Sequence, residues 1–276
     1  MNDGPACVNH ATRWHSRFLR ASVGGLIAAT MLLTRIPMPS RARAFAQWRW
    51  APAWFGVIGA AIGAAAGLVS MMTQPLGAWP SAAIVLVVSS LLTGALHEDG
   101  LADTADALGG ARTRAAIFVI LKDSRVGSYG ALAIALSVLL RASAIVGLRG
   151  AAPAALVAAH CLARAVIPWM QATLPYVTPP DVQKSAAVMG ASARHVVVCT
   201  ATAAGVLAMV ARTISVGFAA PLAIAAGGAV AVAWLLARYF LRRAGGITGD
   251  FLGAAEQACE AGVLVLLLAS RAVTGG

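Results

Sequence analysis

Long apolar runs recur along the chain, separated by short polar connections. Residues 51–72, 80–96, 129–148, 152–170, 196–211 and 214–237 each read as an apolar helix, and a further run reaches Leu268. About 20 predominantly apolar residues are needed to cross a bilayer as a helix. The pattern therefore predicts an all-α, polytopic integral membrane bundle of about seven spans. Residues 17–36 are only moderately apolar and end at TRIPMP, 34–39, where Pro37 and Pro39 stop a helix. No long polar linker divides residues 1–276, so a single membrane domain is expected.

Charge supports this pattern and orders it. The chain is 59% hydrophobic and 11% charged, against about 25% charged in soluble domains. Its net charge of +11 does not point to nucleic acid, because no basic run or aromatic-interleaved patch occurs. The basic residues gather instead in alternate connections, as the positive-inside rule expects. With 41–50 in the cytoplasm, 97–128, 171–195 and 238–253 fall on the same side, and 73–79, 149–151 and 212–213 on the other. The basic N-terminus then makes 17–36 a re-entrant or interfacial helix. Arg13, Arg17 and Arg20 before an apolar run resemble a secretory signal, but without a small-residue cleavage site an uncleaved start is expected. Cys7, Cys161, Cys199 and Cys259 lack metal or redox spacing, and Cys161 and Cys199 read as packing residues.

The acidic residues are the chemical signal. Of ten in the chain, only Asp3 and Asp181 lie outside 98–106, Asp123 and 250–260. HEDGLADTADALGG, 97–110, places Asp99, Asp103 and Asp106 at i, i+4 and i+7 on one helical stripe. Three like charges on a stripe repel, and a divalent metal holding phosphate oxygens would offset them. Asp250, Glu256 and Glu260 follow a glycine-rich turn on the same expected side, and Asp250 is a candidate helix cap. Together the two clusters could hold two metals, or one metal and a general base. His97 is a candidate base, ligand or partner to Asp99.

Lys122, Asp123, Ser124 and Arg125 make a compact charged turn before Gly127 and Gly130, suited to phosphate. Arg35 could add a phosphate contact or anchor the interface. His160 and Arg164, at i and i+4 in one span, either line a cavity or snorkel to the interface. No phosphate-binding loop, dinucleotide fingerprint, zinc signature or serine elbow is present. The residues alone indicate metal-dependent transfer at a diphosphate.

HEDGLADTADALGG, TRIPMP, LKDSRVGSYGALA at 121–133 and GGITGDFLGAAEQACE at 245–260, in this order, resemble the adenosylcobinamide-GDP ribazoletransferases, or cobalamin-5′-phosphate synthases. Ala107 stands where that family's signature is expected to have glycine. The resemblance implies a phosphotransferase-class enzyme that joins adenosylcobinamide-GDP to α-ribazole or its 5′-phosphate and releases GMP. It implies Mg²⁺ as cofactor, with Asp99, Asp103, Asp106, Asp250, Glu256 and Glu260 as ligands or base. Arg35, Lys122, Asp123, Ser124 and Arg125 would face the diphosphate. The expected location is a bacterial inner membrane with the site facing the cytoplasm, and a homo-oligomer is left open. Two enzyme alternatives, a CDP-alcohol phosphotransferase and a prenyltransferase, fit the acidic spacing less well. A transporter would carry its acidic groups in mid-membrane and break its spans.

Overall fold

The structure is a computed structural model that describes residues 10–177, 190–214 and 218–274. Its helices are α1 (His10–Leu33), α2 (Ser40–Ala44), α3 (Phe55–Thr73), α4 (Ala78–Thr93), α5 (Leu96–Gly110), α6 (Arg114–Ile120), α7 (Ser128–Leu148), α8 (Ala152–Ala165), α9 (Ile167–Thr173), α10 (Ala193–Ile214), α11 (Ala219–Ala244) and α12 (Gly249–Thr274). A parallel bridge, Tyr176 to Ile247, ties the α9 exit to the turn before α12.

Among the described residues, five helical stretches are long and apolar enough to cross a membrane: Trp48–Leu76, Ser128–Thr173, Ala193–Arg212, Ala219–Ala244 and Gly249–Arg271. The protein is therefore an all-α membrane bundle, as its hydropathy predicts. The 46-residue stretch is not one rod. Along a straight helix Arg141 and His160 would be roughly 28 Å apart, yet both reach Glu260. The chain doubles back at Arg149, whose φ is 50°, so α7 and α8 return as expected for 129–148 and 152–170. The apolar part of α1 is only Arg20–Leu33, too short for a simple crossing.

The expected 80–96 segment differs. It ends at Thr93, because Gly94 and Ala95 both take left-handed backbone angles. Gly94 N donates to Leu91 O and Ala95 N to Ser90 O, which closes the helix end. The chain leaves at 92° as α5. The backbone of Arg35 bonds Leu92 O, and its side chain lies against the Gly94 Cα, where a Cβ would collide with it.

Helix α12 is the central post, with 72% of its apolar window buried, against 28% for α11. Helix α8 reaches it by packing closely on α3. Gly59, Gly63 and Gly67 of α3 face the backbone or Cα atoms of His160, Leu156 and Pro153, so the two helices meet with no side chain between them. This contact carries His160 and Arg164 to α12. Cys161, Cys199 and Cys259 are buried free thiols within the packing.

Candidate active site at the α5–α12 crossing

Helix α5 lies across the N-terminal ends of α7 and α12. Asp106 accepts hydrogen bonds from Gly127 N (2.7 Å) and Gly130 N (2.9 Å), capping α7 from outside its own chain segment. Both glycines are required sterically, since a Cβ at either would run into the Asp106 carboxylate. Arg243 Nη2 donates to Leu108 O (3.2 Å) and Ala111 O (2.9 Å), the carbonyl end of α5. The acidic helix thus sits over two helix N-termini and has an arginine at its own C-terminus, both favourable for the helix dipoles. Gly130→Ala is expected to lower the unfolding temperature by the equivalent of about 1–3 kcal/mol. Gly205→Ala, where no atom lies within 4 Å of the added methyl, should leave it unchanged or higher. Thermal unfolding in detergent compares the two.

At its other end α5 crosses α12 through two glycines. A Cβ on Gly100 would sit 2.9 Å from Asp250 O and 3.2 Å from Gly253 Cα, and one on Gly253 would sit 3.4 Å from His97 Cα. Only glycine pairs allow such backbone approach. The crossing sets Asp99 and Asp103 beside Asp250 and inserts His97 towards Glu256. Thr248, not Asp250, caps α12, accepting from Phe251 N at 3.2 Å. That leaves the Asp250 carboxylate in the first turn, where the dipole favours it. Asp103, on α5 and outside the five spanning stretches, is pushed up to about 6 by burial and by Asp99, Asp250 and Asp106. The neighbouring carboxylates repel one another, as the spacing anticipates.

Beneath these aspartates is a buried ion network. Arg164 Nη1 lies 2.6 Å from Glu256 Oε1 and 3.7 Å from Glu260 Oε2. Arg141 Nη1 lies 3.1 Å from Glu260 Oε1 and 3.6 Å from Glu98 Oε1. His160 Nδ1 is 2.9 Å from Glu260 Oε2, and His97 Nδ1 is 3.6 Å from Glu256 Oε2. Gln257 Nε2 donates to Glu256 Oε2 at 3.1 Å, and Ser90 Oγ to Glu98 Oε1 at 3.0 Å. Arg141 and Arg164 are 2% and 1% exposed, which excludes snorkelling for Arg164. His160 and Arg164 were expected to line a cavity or snorkel, whereas Arg141 and Glu98 are network members to which motif spacing gave no role. The available signal was charge inside apolar spans, which is costly and marks function or pairing.

The six carboxylates expected as metal ligands or base therefore divide. Asp99, Asp103 and Asp250 form the mouth. Asp106 is committed to the α7 amides, and Glu256 and Glu260 lie deeper, facing arginine. Glu256 is six residues beyond Asp250, about 9 Å further along the helix and on another face. Among the described residues, one group of three metal-type side chains has its ligand atoms all within 4.8 Å: His160, Glu256 and Glu260. This group could bind a metal by proximity, but Arg164 already places a guanidinium between the two carboxylates. The open aspartates suit a hard cation better, because Mg²⁺ keeps waters and takes one or two carboxylates plus substrate phosphates.

A cavity of about 170 Å³ opens beside the mouth. Its apolar lining is Leu32, Leu33, Phe55, Leu96, Ile167 and Leu252, and its polar lining His97, Asp99, Arg164, Gln171 and Asp250. The 121–127 turn stands apart from this cavity. There Arg125 is closed on Asp123, with Nε 2.9 Å from Oδ1 and Nη2 2.6 Å from Oδ2. Those hydrogen bonds pull Asp123 down to about 2. Lys122 and Ser124 are exposed.

The chain is thus a helical membrane bundle with a carboxylate mouth over a buried ion network. Residues 25–268 match the family model described as Cobalamin-5-phosphate synthase. The chain is 36% identical over 260 residues to an adenosylcobinamide-GDP ribazoletransferase of Bradyrhizobium diazoefficiens, covering 91% of this chain and 95% of that one. Proteins of the same name from Shewanella pealeana (39% over 246 residues; 85% and 91% covered) and Azorhizobium caulinodans (38% over 264 residues; 92% and 97% covered) are similar to it as well. No solved structure matches. The chain belongs to the cobalamin-5-phosphate synthase family, and is a membrane transferase of cobalamin biosynthesis.

Proposed function

We propose that the protein joins adenosylcobinamide-GDP to α-ribazole, or to its 5′-phosphate, at the α5–α12 crossing. The observation that carries this reading is the Gly100–Gly253 contact, which gathers Asp99, Asp103 and Asp250 over a floor containing Arg164 and His97. The names of the similar proteins supply the substrates. Asp99, Asp103 and Asp250 hold Mg²⁺, with Asp106 fixing α5 on α7 and Glu256 and Glu260 fixing the arginines. Mg²⁺, when bound, neutralises phosphate oxygens and draws charge from phosphorus.

His97, on the cavity wall and backed by Glu256, takes the proton of the ribose 3′-hydroxyl. The hydroxyl oxygen bonds to the cobinamide-side phosphorus, the bond from that phosphorus to the GMP oxygen breaks, and GMP leaves with the electron pair. Arg35 at the α4–α5 elbow and Lys122, Ser124 and Arg125 at the far end of α5 meet the diphosphate and nucleotide from outside, Asp123 holding Arg125 in place. The site faces the cytoplasm of an inner membrane, where the +11 charge favours anionic nucleotides.

Purified protein in detergent, given adenosylcobinamide-GDP, α-ribazole and Mg²⁺, should release GMP in step with loss of both organic substrates. Release should stop when α-ribazole or Mg²⁺ is left out. Undiminished GMP release without α-ribazole would mean hydrolysis and would overturn the reading.

A further inference from the structure

We infer that the cavity beside the mouth is the acceptor's pocket, and that it takes α-ribazole by its apolar aromatic base while the corrinoid donor stays outside. The inference rests on the reaction proposed above. It comes from the shape and lining of the cavity. An apolar cavity of about 150 Å³ lined by Leu, Ile and Phe accepts a benzene ring. This one, about 170 Å³ and walled by Leu32, Leu33, Phe55, Leu96, Ile167 and Leu252, has room for a one- or two-ring aromatic. Drug-sized ligands need roughly 300–1,000 Å³, so a corrin macrocycle with its side chains does not enter.

The lining also orients the guest. Leucine, isoleucine and phenylalanine offer no hydrogen bonds, which suits a dimethylated benzimidazole and leaves the edge of a guanine unsatisfied. The polar lining is His97, Asp99, Arg164, Gln171 and Asp250, and four of these five belong to the carboxylate mouth and the ion network beneath it. A nucleoside seated base-inward therefore presents its ribose to the carboxylates and to His97. This is the arrangement a 3′-hydroxyl attack needs, with the reacting oxygen placed by burial of the base. The donor's diphosphate then approaches from the open side, between the aspartates and bulk solvent.

Free 5,6-dimethylbenzimidazole tests the inference on the wild-type protein. It should inhibit GMP release competitively against α-ribazole and leave the KM for adenosylcobinamide-GDP unchanged. Leu96→Trp provides a second test. Leu96 is 41% exposed at the cavity rim, so the larger ring is tolerated by the fold and narrows the entrance. It should raise the KM for α-ribazole by roughly tenfold or more, the scale at which pockets discriminate by size, with the donor KM within about twofold. Competition by the free base against the donor, absence of inhibition by it, or a donor-only KM rise in Leu96→Trp would each overturn the assignment. Failure of the wild type to release GMP at all would instead remove the reaction on which it rests.

Discussion

Asp103→Asn loses about 10³-fold of Mg²⁺-dependent turnover, the several kcal/mol a bound divalent ion contributes at a developing phosphoryl charge, while the folded protein becomes no less stable. Both halves follow from one environment. Burial and the neighbouring Asp99, Asp250 and Asp106 raise the Asp103 carboxyl from 3.8 to about 6. A raised acid binds a proton in the folded state that the unfolded chain has already released. Its contribution favours folding in acid and is lost as pH rises through 3.8 to about 6. At pH 7 without metal the ionised Asp103 opposes folding, and asparagine removes that opposition. Unfolding temperature should therefore be equal or higher in the variant at pH 7, and the gap should close below pH 4. Full turnover in the variant would remove Asp103 from the chemistry. Lost turnover with a fall of several degrees would make its role structural.

Arg164→Met destabilises the protein by about 3–5 kcal/mol, the cost of leaving a buried charge partner unpaired. Arg164 is the cation closest to Glu256, and it also approaches Glu260 and His97. Methionine keeps the aliphatic stem that packs on Gly59, so the loss reports charge and not volume. Adding Glu256→Gln to Arg164→Met should recover a large part of the stability, because both members of the 2.6 Å pair are then neutral. Denaturation of the two single variants and the double variant measures that coupling. Strict additivity would show that the contact contributes nothing.

The acidic helix and its chemistry were legible in the residues, because four carboxylates in nine positions have no bland place in an apolar chain. The bundle was legible for the same reason, from run lengths. The right angle before α5 was not, since residues 80–96 read as one continuous apolar segment and Ala95 adopts a left-handed angle that alanine does not advertise. Asp106 fits the i, i+7 stripe, and only the fold shows its two oxygens spent on Gly127 and Gly130. Arg141 and Arg164 stood out as charges within spans, but their partner Glu260 lies 119 and 96 residues away. Pairings at such separation leave no local pattern. Lys122 and Arg125 suggested phosphate by type, whereas the bidentate contact between Asp123 and Arg125 depends on the turn's backbone. The glycines before Asp250 read as a turn, while Gly100 and Gly253 drew no reading of their own. Those two are the point at which two helices touch.

The central claim is that the aspartate mouth, and not the buried His160–Glu256–Glu260 group, takes the divalent ion. Mn²⁺ binding followed by electron paramagnetic resonance tests it without turnover, in the wild type and in Asp99→Asn, Asp250→Asn and His160→Gln. The account predicts that Mn²⁺ binding with donor present is lost or weakened at least about tenfold in the two aspartate variants and kept in His160→Gln. Retention in both aspartate variants, with loss in His160→Gln, would contradict it and move the metal to the buried group.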